Sequence, residues 1–151
     1  MEWITSYLLP CLWAMLACVG FGIGFNIHGL GILICGFGGA LGWLVFLIAR
    51  PLFGSDIAAA FVAAMVIAGY SETLARIRHC PSTGYLQVAL LPLVPGAGVY
   101  YAMQYCLAGD TDRFLFTLLH TLGMAAALSV GAMLTTSVLR AVLPRIRRSG
   151  R

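Results

Sequence analysis

The chain has 151 residues, of which 61% are hydrophobic and only 9% charged, with a mean hydropathy of +0.95 and a net charge of +4. A soluble domain carries roughly a quarter charged residues, so this composition excludes a soluble catalytic domain and leaves room for about four or five membrane spans with short loops. Every basic residue is arginine, and Arg140, Arg145, Arg147, Arg148 and Arg151 gather at the C-terminus, where a basic tail beside a span reads as an anchor for anionic headgroups and not as a nucleic-acid patch.

From Trp3 to Ala49 there is no Asp, Glu, Lys or Arg, which is enough for two spans of about 6–26 and 29–49. The turn Asn26-Ile27-His28-Gly29 joins them. The residues ahead of the first span include Glu2 and no basic side chain, so the segment reads as a retained span and not a cleaved signal peptide. Pro10 falls in the first turns, where a missing N–H matters least. Arg50-Pro51 is expected to end the second span. Ser55-Asp56 offers a cap and a negative charge to the third, at about 56–78, and Cys80-Pro81 stops it.

Cys80 to Gly109 is again free of Asp, Glu, Lys and Arg, and contains Leu91-Pro92-Leu93-Val94-Pro95-Gly96-Ala97-Gly98. The pattern predicts a fourth span of about 82–108 made of two half-helices meeting near Pro95. In hydrocarbon, freed backbone groups need partners, so a broken helix survives only inside protein or beside a water-filled cavity. Secondary transporters use such breaks near the bilayer midplane. Asp110-Thr111-Asp112 forms the next loop and helps cap a fifth span of about 113–139, which leads into the tail 140–151. The fold class is therefore all-α, one polytopic transmembrane bundle of about five spans with the fourth interrupted. Arginine placement orients it with the N-terminus outside and the C-terminus cytoplasmic.

Small residues recur at intervals of four, at Gly20 and Gly24, Gly38 and Gly42, Ala60, Ala64 and Ala68, and Gly123, Ala127 and Gly131. These stripes mark helix contact faces, within the chain or toward a partner. Cys11, Cys18, Cys35, Cys80 and Cys106 lack metal-ligand spacing and read as small core residues.

Glu72, Arg76 and His79 share one face of the third span, and Glu72 before Arg76 is the favourable order for an ion pair. An ionisable pair near a span end suits a proton carrier or gate; it also suits an interfacial pair that fixes helix depth. His120 could relay protons or simply bond a neighbouring helix. Asn26 and His28 are first of all turn formers. Pro95, Gly96 and Gly98 open a half-helix whose free N–H groups would present positive partial charge to a carboxylate, and Tyr100 and Tyr101 follow within about a turn. There is no nucleophile elbow, HExxH, P-loop or paired catalytic carboxylate, so neither an enzyme nor a cofactor or metal is expected.

The residues also resemble a known family. Gly20-Phe21-Gly22-Ile23-Gly24-Phe25-Asn26-Ile27, the glycine-rich Gly36-Phe37-Gly38-Gly39-Ala40-Leu41-Gly42-Trp43, then Ser71-Glu72-Thr73-Leu74-Ala75-Arg76 with Pro81, and Leu91-Pro92-Leu93-Val94-Pro95-Gly96 with Tyr100 stand in the order found in threonine/serine exporters. The chain looks like the short subunit that corresponds to the C-terminal half of full-length members. The resemblance implies a half-transporter of the bacterial cytoplasmic membrane that works with a homologous larger subunit or with another copy of itself. It implies proton-motive-force-driven export of threonine and serine, or of a dicarboxylate such as succinate. On this reading Pro95, Gly96, Gly98, Tyr100 and Asn26 serve substrate binding, and Glu72 and Arg76 serve proton coupling or gating. The competing expectation is a non-transporting assembly subunit of a membrane complex.

Overall fold

The computed structural model describes residues 4–142, so Pro144, Arg145, Arg147, Arg148 and Arg151 of the basic tail lie outside the described residues. A π-helical turn, Ile4–Leu8, runs directly into α1, Leu9–Gly24. There follow α2, Leu30–Phe53; α3, Asp56–Arg78; α4, Ser82–Leu90, which tightens into a 3-10 turn at Leu91–Leu93; α5, Gly96–Leu107; and α6, Thr111–Val142. No strand occurs among the described residues. Helices α2, α3 and α6 are each long and apolar enough to cross a membrane, and α4 and α5 together make a fourth candidate span bent by 48°. Helix α1 alone is a shorter apolar helix of 16 residues.

The ends of the helices follow from local chemistry. Asn26 turns the chain after α1 with φ of 59°, a left-handed conformation that Asn tolerates better than most residues. Helix α2 does not stop at Arg50-Pro51 as expected but runs one turn further to Phe53, with Gly54 in the left-handed region donating its N–H to Arg50 O. Proline disrupts what lies N-terminal to it, and the glycine supplies the stop. Ser55 occupies the cap position of α3 without a side-chain cap bond, while Asp56 sits in the first turn. Asp110 caps α6, accepting the Arg113 N–H at 3.1 Å.

Helix α3 is the centre of the bundle, in contact with α2, α4 and α6. Its buried face is Ala59, Ala60, Ala63, Ala64, Ile67, Ala68, Ser71, Glu72 and Ala75. Such small side chains let neighbouring backbones come close, and in lipid this dispersion contact replaces the hydrophobic drive available in water. The glycine stripes are the counterpart. A Cβ at Gly131 would meet Phe61 O at 2.7 Å, one at Gly38 would meet the Tyr70 ring at 3.0 Å, and one at Gly42 would strike Ile67. Gly20 and Gly24, by contrast, have no neighbour within 4 Å and face outward. Of the cysteines, Cys18 and Cys35 are core residues; Cys80 and Cys106 are exposed near helix ends, against the expectation for them.

Helices α3 and α6 run parallel, since Gly123 approaches Ile57, Gly131 approaches Phe61, and Leu139 O accepts from Arg76 at 3.1 Å. Their C-terminal ends are level, so the longer α6 overhangs α3 at the other end by about 13 Å. Helix α5 folds back against this overhang, with Tyr105 near Arg113.

Candidate functional site

The break in the fourth candidate span lies at the middle depth of the bundle. Leu93, just before it, packs with Ile67, the midpoint of α3, and would be met by a Cβ at Gly42, the midpoint of α2. Val94 is extended (ψ 126°), Pro95 takes φ −77° and ψ 57°, and α5 restarts at Gly96. Two prolines explain the interruption, because each removes a donor and clashes with the preceding turn. Gly96 N–H bonds Val94 O at 2.7 Å. The N–H groups of Ala97 and Gly98 belong to the first turn, which has no intrahelical partners for them.

A cleft of about 220 Å³ adjoins the break, lined by Leu90, Val94 and Pro95 on one side and by Ala125, Leu128 and Ser129 of α6 on the other. Its walls are apolar apart from Ser129, whose hydroxyl donates to Ala126 O at 2.9 Å. The predicted residues divide here. Gly96 is exposed with nothing within 4 Å of a built Cβ, whereas Gly98 is pressed against Thr121 and serves the α5–α6 contact. Tyr100 is 65% exposed on the outside of the single chain, edge-on to Tyr101 at 5.5 Å. Asn26 lies in the α1–α2 turn at one end of the bundle, away from the break.

Glu72 and Arg76 lie near the C-terminal end of α3. Glu72 is buried, and its Oε1 pairs with Arg76 Nη2 at 3.3 Å and with Arg140 Nε at 3.5 Å. Arg140 Nη2 also donates to Ser82 Oγ at 3.3 Å, so one carboxylate draws α3, α6 and the start of α4 together. Arg140 and Ser82 were not among the sequence candidates. Arg140 is indistinguishable in composition from the tail, yet Ala141 and Val142 still belong to α6 and set it apart from Arg145. His79 does not join the cluster; it turns the chain after α3 with φ of 55° and is exposed. Glu72 and the break are not brought together, for Pro95 lies roughly 20 Å along the fourth span from Ser82.

A second polar group closes the opposite end. Arg50 Nε donates to Asp56 Oδ1 at 2.6 Å, its Nη2 lies 3.4 Å from Oδ2, and His120 Nε2 is 3.9 Å from the same Oδ2. These residues, with Gly54, Ser55 and Ile57, line an open cup of about 490 Å³. No group of three or more His, Cys, Asp or Glu placed to hold a metal occurs among the described residues.

An all-helical bundle of membrane-length helices with a bent, discontinuous helix pair broken at mid-depth is a feature the chain shares with carriers. The family model described as Threonine/Serine exporter, ThrE, matches residues 10–138, and the chain belongs to that family of transporters. No curated protein and no solved structure matches it.

Proposed function

We propose that the chain is one half of a secondary-active exporter of small carboxylate-bearing metabolites, threonine and serine or a dicarboxylate such as succinate, working by alternating access. The observation that carries this reading is the mid-depth break, where Gly96 stands open beside a cleft between the half-helices and α6. The first N–H groups of α5 would hold the carboxylate. The cleft is small and nearly apolar, and Tyr100 is exposed on the outer surface, which supports a site completed by a homologous larger subunit or a second copy. Glu72, held between Arg76 and Arg140, would gate the end that carries the tail. That end is assigned to the cytoplasm of a bacterial inner membrane, because Arg76, Arg78 and Arg140 all lie there.

Efflux of preloaded threonine, serine and succinate tests the proposal, with this chain alone and with a co-encoded larger subunit. Gly96→Leu is expected to lower efflux at least tenfold while leaving thermal stability in detergent unchanged, since a side chain has room there. Unchanged efflux in that variant removes the carboxylate site. Absence of efflux from an assembled complex favours a non-transporting assembly subunit.

A further inference from the structure

One helix pair, α3 and α6, carries an ionic contact at each end. At one end Glu72 of α3 meets Arg140 of α6 at 3.5 Å; at the other Asp56 of α3 faces His120 of α6 at 3.9 Å. Arginine is charged at every accessible pH, whereas histidine changes charge between about pH 5 and 8. The two contacts therefore differ in kind. We propose that Asp56 and His120 form a proton-operated clamp, closed when His120 Nε2 takes a proton from the aqueous cup, and that this clamp governs access from the side opposite the arginine tail.

The placement supports the role. His120 lies inside the uncharged run of α6 from Phe114 to Leu139, about 13 Å from the helix start at Thr111. An ionisable group inside an otherwise apolar membrane-length helix marks a pathway or relay. The cup that holds it is open and about 490 Å³ in volume, so water reaches the imidazole without a route through the bundle. The groups facing it are few. Asp56 comes from α3, and Arg50 of α2 already holds that carboxylate at 2.6 Å. Helix α5, packed on the other side of α6, contributes Tyr100, Tyr101, Tyr105 and Cys106 and no Asp, Glu, Lys, Arg or His. On α6 itself, Phe116 stacks on His120 at 6.5 Å and Arg113 is paired with Asp110 at 3.2 Å.

The chemistry sets a direction. With His120 neutral, the 3.9 Å separation is too long for a hydrogen bond and Asp56 is satisfied by Arg50 alone. One proton from the cup makes the imidazolium a partner for Oδ2, and the carboxylate then bridges a guanidinium and an imidazolium. α6 is drawn onto the α2–α3 turn. The inference rests on the alternating-access reading: a proton arriving from outside closes the outer end and leaves the inner end free to open.

The test is a distance measurement on the full chain in lipid nanodiscs without substrate. Spin labels go on the exposed Leu52 and Leu119 as cysteines, with a control pair at Ile77 and Val138, and with Cys11, Cys80 and Cys106 replaced by serine. The outer pair is expected to lengthen and broaden as pH rises from about 5.5 to 8.5, while the control pair stays fixed. His120→Gln should hold the outer pair long at every pH, and His120→Lys should hold it short. A flat outer distance in the unmodified site, or a pH response that survives either substitution, overturns the clamp. The two proposals fail separately, because the distance is read without substrate and the Gly96→Leu efflux assay is read at a single pH.

Discussion

Glu72 is the residue on which most charge depends, since it is buried and pairs with two arginines from different helices. Removing one member of a buried group leaves the others uncompensated, which costs more than the group itself contributes. Glu72→Gln is expected to destabilise the chain by about 1–3 kcal/mol, less than for a fully buried pair because the arginines are partly exposed. Thermal unfolding in detergent reads the loss. Arg140→Ala, which keeps the Arg76 partner, should lower stability less than Glu72→Gln; an equal or larger loss would show that Arg140 and Ser82 carry the contact. The Glu72–Arg76 pair was legible in the sequence because both members lie one turn apart on one helix. Arg140 was not, for its pairing comes from helices brought level by packing, which no local spacing records. Asp56 and His120 were separately visible, as a helix-start charge and a lone histidine, and their meeting is likewise a product of the parallel α3–α6 arrangement.

At the scale of elements, the four-residue stripes foretold close helix contacts but not which ones. Gly131 lies where α6 crosses the Phe61 carbonyl, and a methyl group there would meet backbone that cannot rotate away. Gly131→Ala is expected to cost about 1–3 kcal/mol and to loosen α3 from α6, whereas Gly20→Ala, with nothing within 4 Å, should leave stability unchanged. A paired thermal-shift measurement separates them, and equal shifts would show that the α3–α6 crossing is less tight than its geometry. The broken fourth span was the most legible element, because proline and glycine act on their own neighbours. The α2 terminus was misplaced by one turn for a related reason: the Arg50-Pro51 pair reads as a stop, yet Gly54 was the residue able to supply the left-handed turn.

For the whole molecule, the sequence supplied an all-α bundle from charge-free lengths, and the family match covers nearly the same stretch, residues 10–138. What lengths alone leave open is which ends share a side. The fold places Arg76, Ser82 and Arg140 at one end and Arg50, Asp56 and His120 at the other. Two native thiols report on this, because Cys80 is exposed between α3 and α4 while Cys106 is exposed near the end of α5. If the bent pair crosses the membrane, a membrane-impermeant maleimide added to intact cells labels Cys106 and spares Cys80 until the cells are opened. Labelling of both from the same side would make the pair a re-entrant loop: both spared until the cells are opened would reverse the proposed orientation of α6, and both labelled in intact cells would reverse that of α3.

The alanine face of α3 has a mechanical consequence. Ala59, Ala60, Ala63, Ala64 and Ala68 have no side-chain rotamers to exchange, so motion of α6 across that face meets few interlocking side chains that must first swing aside, Phe61 and Ile67 being the large ones. Packed helices of this kind move by shear, as smooth plates slide, and not by repacking. The barrier to such a slide then resides at the two ends of the helix, where the charges are, and the middle of the bundle acts as its bearing.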